Sequence, residues 1–565
     1  MKITGASALL QSLLHEGVDI IFGYPGGAIM PTYDALYDVQ AQLRHILARH
    51  EQGAVHAAEG YARMTGKVGV CLATSGPGAT NLITGITDAM LDSVPIVCIT
   101  GQVSSALLGT DAFQEADIIS ISLPVTKWNY QITCADEVAG IVAKAFYIAR
   151  SGRPGPVLID ITKDAQFAQT DFSYHPYTPK KLPVYSKPLP PEKIQQAVTL
   201  INNAKKPYIL AGHGVLISNA QKELMQFAEK ANIPVACTLL GLAAFPTDHP
   251  LYVGYLGMHG NYGPNLLTNE ADVIIAVGMR FDDRVTGKLD SYAKQAKIIH
   301  IDIDPAEIGK NVPVDVALLA DAKVALQALH AAVNSDRAQH LHDAWIAKFK
   351  ACQKIEHDKV IASEVHGKKD SIKMAEVVYS VAEKTKGTAV IVTDVGQHQM
   401  VTARYSEFKN GGLQITSGGL GTMGFALPAA IGAKLGDMQK QVIAIIGDGG
   451  FQMNIQELGV LMQENLPVKV IILNNGHLGM VRQWQELFFE SRYSFVALKN
   501  PDFIKIAEGY SVPAKRVTHR SELDAALDEL LKADTPYVLE VVVENQENIF
   551  PMIASGTGVG DIRLS

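Results

Sequence analysis

Hydrophobic residues along the chain are grouped into short runs that alternate with longer amphipathic stretches. Runs such as VCLA at residues 70–73 and VIAII at residues 442–446 have the length of buried strands, and helix-length segments follow the glycine turns behind them. Strands that alternate with helices in this way form parallel sheets with helices on both faces. The pattern predicts an α/β fold made of doubly wound domains.

The first and last thirds of the chain share one arrangement. Residues 70–100 and 443–473 each contain an apolar strand, a glycine turn, a helix that begins near an asparagine, and a second strand after a proline. The interval from asparagine to proline is 14 residues in the first segment and 13 in the second. We interpret the segments as two copies of one domain type. The alternative is that βαβ units of unrelated domains simply look alike.

Two segments interrupt this pattern and divide the chain. Residues 175–191 are rich in proline and lack a hydrophobic period, which indicates a linker. Residues 331–370 combine a helix-like centre with a charged tail, which indicates a helical connector. The part between them has its own strand-like runs, such as ADVIIAVG at residues 271–278. Three domains are therefore predicted, spanning residues 1–165, 190–330 and 370–550.

The apolar run VIAIIG ends on a single carboxylate, Asp448, placed between glycines. The next strand ends in Asn474 and Asn475, and Asn475 lies 27 residues after Asp448. The carboxyl ends of neighbouring parallel strands meet where open α/β sheets bind ligands, and oxygen ligands there suit Mg²⁺ bound to a phosphate. The alternative is two ordinary turns, because Asp-Gly and Asn-Gly are common turn sequences.

The composition limits the classes of function. The 565-residue chain is 47% hydrophobic and 19% charged, and its net charge of −8 gives no basic surface for nucleic acid or anionic lipid. Five cysteines and 17 histidines are scattered without the spacing of a zinc site, and no apolar run reaches 18 residues. We expect a cytoplasmic protein that binds neither nucleic acid nor membranes.

The Gly-Asp-Gly turn followed by Asn-Asn resembles the cofactor signature of thiamine-diphosphate-dependent enzymes. The resemblance implies that Asp448, Asn475 and the main-chain carbonyl of His477 bind Mg²⁺. It also implies a protonated carboxyl group beside the pyrimidine ring of the cofactor, and Glu51 in the stretch RHEQGA matches that position. Taken alone, Glu51 is also explained as an acidic residue at the start of a helix.

A glycine-rich segment, GLGTMG at residues 419–424, precedes a helical stretch. Its G-x-G-x-x-G pattern also occurs in dinucleotide sites and is a weak signal by itself. By resemblance it is the segment that holds the aminopyrimidine ring of thiamine diphosphate. The residues that the resemblance assigns to this cofactor are Glu51, Gln397, His398, Gly421, Met423, Gly449 and Asn475.

Stretches along nearly the whole chain, among them FGYPGGAIMP, TSGPGATNLITG, VGMRFDDRVTGK and LGMVRQWQ, resemble the large catalytic subunits of acetohydroxyacid synthases, also called acetolactate synthases. These transferases decarboxylate pyruvate on thiamine diphosphate and condense the hydroxyethyl unit with pyruvate or 2-ketobutyrate. The products are 2-acetolactate and 2-aceto-2-hydroxybutyrate, on the route to valine, leucine and isoleucine. The catalytic residues that the resemblance implies are Gly27, Glu51, Phe113, Gln114 and Lys163.

The substrate-binding residues implied by the resemblance are Arg284, Met480 and Trp484. Arg284 suits the carboxylate of the second 2-ketoacid through a bidentate fork, and the other interpretation is a surface pair with Asp282 or Asp283. Trp484 and Met480 would form the wall that senses the extra methylene of 2-ketobutyrate, a difference worth about 1–3 kcal/mol. A lone tryptophan is otherwise more often a core residue.

The middle domain resembles the FAD-binding domain of this family, which is Rossmann-like, and the outer two resemble its pyrimidine-binding and diphosphate-binding domains. The residues implied to hold FAD are Arg153, His259, Gly278, Arg280, Asp302, Asp304 and Asp321. The resemblance further implies a homodimer or tetramer with active sites between subunits, and a small regulatory subunit. The rival interpretations are a pyruvate oxidase that uses FAD and thiamine diphosphate, and a non-catalytic flavoprotein scaffold.

Overall fold

A computed structural model of the protein describes residues 2–180, 185, 187–334, 342–367, 371–409 and 411–565. The described residues form three six-stranded parallel sheets and one two-stranded antiparallel ribbon. The predicted α/β fold of three doubly wound domains is confirmed. Parts of the predicted linker and of the predicted connector lie outside the described residues. Within the described ranges, none of the helices has both the length and the apolar composition needed to span a bilayer.

The first domain joins the antiparallel ribbon to a parallel sheet. Its strands are β1 (Lys2–Thr4), β2 (Ile20–Gly23), β3 (Arg44–Leu47), β4 (Gly69–Ala73), β5 (Ile96–Gln102), β6 (Trp128–Ile132), β7 (Val157–Thr162) and β8 (Gln169–Asp171). Its helices are α1 (Gly5–His15), α2 (Met30–Val39), α3 (Glu51–Thr65), α4 (Pro77–Thr80), α5 (Ile83–Asp92), α6 (Ile118–Ser122), α7 (Val138–Arg150) and α8 (Lys163–Phe167). The sheet order is β3-β2-β4-β5-β7-β6, and β1 pairs with β8.

The middle domain has the strand order of dinucleotide-binding folds. Its strands are β9 (Pro207–Ala211), β10 (Val235–Cys237), β11 (Tyr252–Tyr255), β12 (Val273–Val277), β13 (Lys297–Asp302) and β14 (Val316–Leu319). Its helices are α9 (Pro191–Asn203), α10 (His213–Ile217), α11 (Gln221–Ala231), α12 (Tyr262–Thr268), α13 (Asp283–Thr286) and α14 (Ala322–Ala332). The order β11-β10-β9-β12-β13-β14 corresponds to 3-2-1-4-5-6. The connector that follows contains α15 (Asp343–Glu356) and α16 (Ala362–Val365), with a π-helical stretch between them.

The third domain repeats the topology of the first. Its strands are β15 (Val390–Thr393), β16 (Leu413–Thr416), β17 (Val442–Gly447), β18 (Lys469–Asn474), β19 (Ala514–Val517) and β20 (Tyr537–Val542). Its helices are α17 (Met374–Thr385), α18 (Gln397–Tyr405), α19 (Ala426–Gly436), α20 (Asp448–Met453), α21 (Leu458–Glu464), α22 (Gly479–Phe488), α23 (Phe503–Gly509) and α24 (Arg520–Lys532). The order β16-β15-β17-β18-β20-β19 is 2-1-3-4-6-5, as it is in the first domain when counted from β2.

Helices α3 and α19 hold the first and third domains together. Each lies between the second and third strands of its own sheet, and the two pack against each other. A Cβ on Gly60 would lie 2.0 Å from the carbonyl oxygen of Ala429, and a Cβ on Gly432 would lie 1.8 Å from that of Ala57. The helices therefore approach at backbone distance, which only glycine allows at these positions. The hydrophobic core is continuous across this contact.

The segment after β20 returns to the middle domain. Main-chain hydrogen bonds join Ile553 N–H to the Met258 oxygen at 2.8 Å and Lys288 N–H to the Thr557 oxygen at 3.0 Å. The buried side chains that this segment adds to the core of the middle domain are those of Ile553, Val559 and Ile562. The end of the chain thus borders the loop that carries α13.

Candidate active site

The carboxyl edge of the third sheet carries the predicted metal ligands. Asp448 follows Gly447 at the end of β17, and the pairing of β17 with β18 sets Gly447 beside Leu473. Asp448 is buried, and its Oδ2 accepts a hydrogen bond of 2.7 Å from the Asn500 side chain. Burial raises the pKa of the Asp448 carboxyl, against the hydrogen bonds from Asn500 and from the Gly476 main chain. The carboxylate therefore lies beside the loop that follows β18.

The loop after β18 is a tight turn around Asn475. The side-chain oxygen of Asn475 accepts the His477 N–H at 3.0 Å, and the ring Nδ1 of His477 lies 3.0 Å from the main-chain oxygen of Asn475. Gly476 between them has a φ of 68°, which favours glycine. The Nδ1 of the imidazole is engaged inside the turn, and the main-chain carbonyl of His477 is the group that the resemblance predicts as a metal ligand.

His398, in the first turn of α18, borders the same edge of the sheet. It is buried, and burial lowers its pKa to about 4. Its Nε2 is a buried atom without a hydrogen-bond partner in the described part of the chain. A Cβ on Gly447 would lie 2.9 Å from the His398 ring, so glycine is required there. An unpartnered nitrogen at the start of a helix, close to a buried carboxylate, fits a diphosphate bound with Mg²⁺.

The neighbouring residue Gln397 uses its side chain within the protein. Its Nε2 donates to the Gln483 Oε1 at 2.9 Å and to the Glu547 main-chain oxygen at 2.7 Å. As the first residue of α18 it keeps a main-chain N–H without a partner inside the helix. Gly449 lies in the first turn of α20, where a Cβ would be 2.8 Å from the Leu478 side chain. Both positions offer main-chain rather than side-chain groups to an anion.

Glu51 lies at the corresponding edge of the first domain. It is the first residue of α3 and is buried. Its Oε2 accepts a hydrogen bond of 3.0 Å from the Asn81 side chain, and its Oε1 is 3.2 Å from the position of a Cβ on Gly78. Among the described residues, no hydrogen bond links Glu51 to the loop of Asp448. Glu51 begins a helix, as expected for an acidic residue at a helix start, and it is buried, as expected for the predicted catalytic acid.

A cleft of about 1110 Å³ lies where the three domains meet. Its wall includes Gly421 and Met423 of the glycine-rich segment. The predicted substrate residues that line it are Arg284, Met480 and Trp484. The predicted flavin residues that line it are Arg153, His259, Gly278, Arg280, Asp302 and Asp321. Asp304 is not part of the wall, and its Oδ2 lies 3.7 Å from the Arg153 guanidinium. The cleft brings residues from three separate predictions into one space.

The half of the cleft that is lined by the predicted flavin residues (the flavin half) surrounds the point where the strand order of the middle sheet reverses, between β9 and β12. Gly278 follows β12 with a φ of 57°, and a Cβ there would lie 2.6 Å from the Gly214 Cα. Asp302 ends β13, and burial raises its pKa to about 6. Burial lowers the pKa of His259 to about 3, and its buried Nδ1 has no partner in the described structure. Close backbone approach and an unpartnered polar atom fit a dinucleotide-type cofactor.

Arg284 and Trp484 reach the cleft from α13 and α22. The Arg284 Nε lies 3.7 Å from the Asp283 Oδ2, with side chains 62% and 80% exposed. An ion pair so exposed to water is weak, so it leaves the guanidinium free to bind a carboxylate. Trp484 is half-buried, and its ring centre lies 4.9 Å from that of Phe488. It is therefore not a residue of the buried core.

Four predicted catalytic residues lie at the carboxyl edge of the first sheet instead. Gly27 follows β2, Lys163 follows β7, and Phe113 and Gln114 belong to the loop after β5. Gln114 has a φ of 58°, and Phe113 is 87% exposed. None of the four lines the cleft within this chain. Together with Glu51 they form a group separate from Met423 and from the edge that carries the predicted metal ligands.

For three residues at these sites, the sequence does not indicate which polar side chain each one contacts. Asn500 binds Asp448 from 52 residues away, in a stretch without a motif. Asn81 is the asparagine near which the helix of the first-domain segment begins, but nothing in the sequence indicates that its side chain binds Glu51. Glu307 lines the cleft and accepts a 2.9 Å hydrogen bond from Arg153. Each acts through another polar residue, which only the folded arrangement reveals.

Family models match all three domains. The model for the N-terminal TPP binding domain of thiamine pyrophosphate enzymes matches residues 3–121. The model for their central domain matches residues 194–329, and the model for their C-terminal TPP binding domain matches residues 394–541. With the repeated sheet topology and the polar strand ends, these matches define the class as thiamine pyrophosphate enzymes.

Comparison with relatives of similar length identifies the family within this class of enzymes. The acetolactate synthase large subunit of Corynebacterium glutamicum is 46% identical, and the alignment covers 100% of this chain and 90% of that protein. The acetolactate synthase isozyme 2 large subunit of Escherichia coli is 45% identical, with 98% of both chains covered. The chloroplastic acetolactate synthase 2 of Nicotiana tabacum is 46% identical over 99% of this chain and 85% of its own. The chain belongs to the acetolactate synthase large-subunit family, which confirms the resemblance seen in its sequence.

Proposed function

We propose that the protein decarboxylates pyruvate and joins the resulting two-carbon unit to pyruvate or 2-ketobutyrate, giving 2-acetolactate or 2-aceto-2-hydroxybutyrate for branched-chain amino acid synthesis. The observation that carries the proposal is the cleft whose wall combines Met423 with Arg284 and Trp484. Condensation of two 2-ketoacids requires a cofactor and a carboxylate-binding group that face one space. Membership of the acetolactate synthase family supports the same reaction.

Asp448, Asn475 and the His477 carbonyl are proposed to hold Mg²⁺, and the Mg²⁺ to hold the diphosphate of the cofactor. The unpartnered Nε2 of His398 supports this assignment, because a buried nitrogen without a partner is costly unless a ligand satisfies it. The main-chain N–H groups of Gln397 and Gly449 would add further donors. When bound, thiamine diphosphate supplies the nucleophilic carbon and accepts the electrons released on decarboxylation.

Glu51 is proposed to hold a proton at its carboxyl group and to share it with the pyrimidine ring of the cofactor. Asn81 fixes one carboxyl oxygen, which leaves the other for this hydrogen bond. In one chain, Glu51 is absent from the wall that contains Met423. We therefore propose that Glu51 and Asp448 of different chains serve one cofactor, which makes a dimer the smallest active unit, alone or within a tetramer.

The second substrate is proposed to bind through its carboxylate to the planar fork of Arg284. Trp484 and Met480 would then contact its alkyl end, where one methylene distinguishes 2-ketobutyrate from pyruvate. Gly27, Phe113, Gln114 and Lys163, which lie away from this cleft in their own chain, would complete the site from the first domain of a second subunit.

The middle domain is proposed to bind FAD with the residues that line its half of the cleft. Asp304, outside the wall, would act by pairing with Arg153. The overall condensation transfers no electrons, so the flavin would have a structural role. The name "large subunit" of the relatives supports a small regulatory subunit as a partner, and the protein is proposed to work in the cytoplasm.

An anaerobic assay with pyruvate, 2-ketobutyrate, thiamine diphosphate, Mg²⁺ and FAD tests the proposal. We expect both acetohydroxyacids to form while the flavin absorbance stays constant. Bleaching of FAD at the catalytic rate, without acetolactate, would instead identify a pyruvate oxidase. In the Trp484→Leu variant, acetolactate should still form, while the preference for 2-ketobutyrate should fall about 10- to 200-fold. An unchanged product ratio would refute the role given to Trp484.

A further inference from the structure

Asp92 lies at a junction of all three domains. It is the last residue of α5 in the first domain and is buried. Its carboxylate accepts the main-chain N–H groups of Gly418 at 2.9 Å and Gly419 at 2.6 Å, both in the third domain. It also accepts a 2.6 Å hydrogen bond from the Arg63 guanidinium. One carboxylate thus holds the main chain that enters the glycine-rich segment.

The middle domain meets the same point from the other side. The His213 Nδ1 lies 2.9 Å from the main-chain oxygen of Asp92. A Cβ on Gly418 would lie 2.6 Å from the Leu240 Cγ, so the glycine main chain rests directly on the middle domain. The main chain of the third domain at Gly418 therefore lies between Asp92 of the first domain and Leu240 of the middle domain.

Arg153, one of the proposed flavin residues, forms hydrogen bonds with the residues on both sides of Asp92. Its guanidinium donates to the Leu91 main-chain oxygen at 3.3 Å and to the Ser93 Oγ at 2.8 Å. It also donates to the Glu307 carboxylate of the middle domain at 2.9 Å. Arg153 lines the flavin half of the cleft, so a group bound there would contact the side chain that holds both Leu91 and Ser93.

A second acid of α5 holds the other end of the same segment. The Asp88 Oδ1 accepts hydrogen bonds from the Ser417 hydroxyl and, at 3.3 Å, from the Thr422 hydroxyl. The Thr422 N–H in turn donates to the Ser417 Oγ at 2.8 Å. The main chain on both sides of Gly421 is thus set by a helix of the first domain.

We propose that Asp92 is a positioning residue that couples the two cofactor sites. Flavin binding would order the contacts that Arg153 and the middle-domain residue His213 make to residues 91–93. Asp92 would transmit this order to Gly418 and Gly419, which lead to Gly421 and Met423. Two ligands that order one junction reduce each other's ordering cost, so each raises the affinity for the other by the same factor. The inference rests on the proposed function, because it takes FAD and thiamine diphosphate as the ligands.

The test measures binding rather than turnover. Thiamine diphosphate with Mg²⁺ is titrated calorimetrically into the flavin-free protein and into the protein saturated with FAD, and flavin fluorescence follows the reverse titration. In the native protein we expect FAD to tighten thiamine diphosphate binding by about 5- to 150-fold. In the Asp92→Asn variant this ratio should fall to about 1, because the charge that holds Arg63 and the two glycine N–H groups together is lost.

The Glu457→Gln variant is a matched control. Glu457 is also a buried acid between the first and third domains, and its carboxylate accepts the Arg49 N–H at 3.0 Å. It makes no hydrogen bond to residues 417–423 in the described structure. The ratio of affinities should therefore stay at the native value in this variant. A loss equal to that in Asp92→Asn would show that any weakened interface suffices, and would overturn the role of Asp92.

A second variant decides the question if Asp92→Asn does not fold. His213→Ala alters a half-buried residue and removes the middle-domain contact to Asp92. We expect its flavin-free form to bind thiamine diphosphate as the native protein does, with the tightening by FAD lost. A native ratio in either variant, or independent binding in the native protein, would overturn the coupling and leave the proposed function intact. Failure of the native protein to bind either cofactor would instead overturn the proposed function, and this inference with it.

Discussion

The first and third domains share one sheet topology but present different groups at their carboxyl edges. Directly after the third strand of its sheet, the first domain has Thr74 where the third has Asp448. The Thr74 Oγ1 accepts the Ala28 N–H at 3.2 Å and so stabilises a turn of its own domain. The Asp448 carboxylate instead faces the Asn475 turn and Asn500, as a metal ligand would.

The helix between the second and third strands shows the opposite distribution. In the first domain it begins with the buried acid Glu51, and in the third domain it begins with the apolar Ala426. Glu51 at a helix start in the first domain and Asp448 at a strand end in the third thus lie on different elements of the same topology. The same sheet topology carries different side chains at its carboxyl edge in the two domains, so the chemistry of each domain depends on its edge residues rather than on the fold.

The largest effect is expected when the acid of the first domain is neutralised. The Glu51→Gln variant keeps the shape of the side chain but removes the carboxyl group proposed to act on the cofactor, so kcat for acetolactate formation should fall about 10²- to 10⁴-fold. Calorimetric affinity for thiamine diphosphate should stay close to native, because the edge that carries Asp448 and Asn475 is unchanged. Turnover near the native rate would remove Glu51 from the catalytic group.

Replacing the residues that follow the third strand compares the two edges directly. Asp448→Ala should lower activity at least about 100-fold and weaken Mg²⁺-dependent binding of thiamine diphosphate, because it removes a proposed metal ligand. Thr74→Val is the change at the matching position of the first domain. It removes one hydrogen bond and should lower activity by about tenfold or less. Equal losses in the two variants would mean that the edges are not specialised as described.

The contact between the equivalent helices α3 and α19 predicts a stability effect. Gly432→Ala places a methyl group against the Ala57 main chain, and should lower the free energy of unfolding by about 1–3 kcal/mol or more in chemical denaturation. Gly60→Ala, its counterpart, should behave alike. Gly140→Ala is the control, since a Cβ on this helical glycine meets nothing within 4 Å and should raise stability by up to about 1 kcal/mol. Similar unfolding midpoints for all three would contradict the close approach.

The smallest effect concerns the pH dependence of the same domain contact. Burial raises the pKa of Glu457 from its ordinary value of 4.5 to about 7. A raised pKa in the folded state stabilises the protein below the unfolded value, and this contribution is lost as the pH rises through about 7. The difference in unfolding free energy between the native protein and Glu457→Gln should therefore favour the native protein more at about pH 5 than at about pH 8. A difference independent of pH would show that Glu457 does not titrate in this way.

The sequence predicted those features that depend on local pattern and strand ends. The spacing from Asp448 to Asn475 placed both on neighbouring strands, and the structure brings them to one edge. It was not possible to predict the contact of Asp92 with Gly418 and Gly419, because the three residues meet only after the domains pack. Asn500 is a similar case, since nothing in a loop sequence states which carboxylate it will bind.

The burial of the first-domain residues could not be predicted from the sequence, since Glu51 is buried whereas Phe113 is 87% exposed. The family resemblance implied active sites between subunits, and in the structure Phe113, Gln114 and Lys163 do not line the cleft of their own chain. The alanine-rich and glycine-rich faces of α3 and α19 are visible in the sequence, yet their partner is not. The sequence predicts which residues lie at the carboxyl edge of each sheet. Only the packing between domains determines which of these residues share one cleft.

The most direct test of a site shared between chains mixes two inactive proteins. Glu51→Gln and Asp448→Ala chains are separated into monomers, combined and reassembled, and acetolactate formation is measured. If each site takes Glu51 from one chain and Asp448 from the other, half of randomly paired dimers are hybrids with one intact site of two, and about a quarter of the native activity should return. No recovery despite hybrid dimers would mean that both residues act within one chain, and would contradict the shared site.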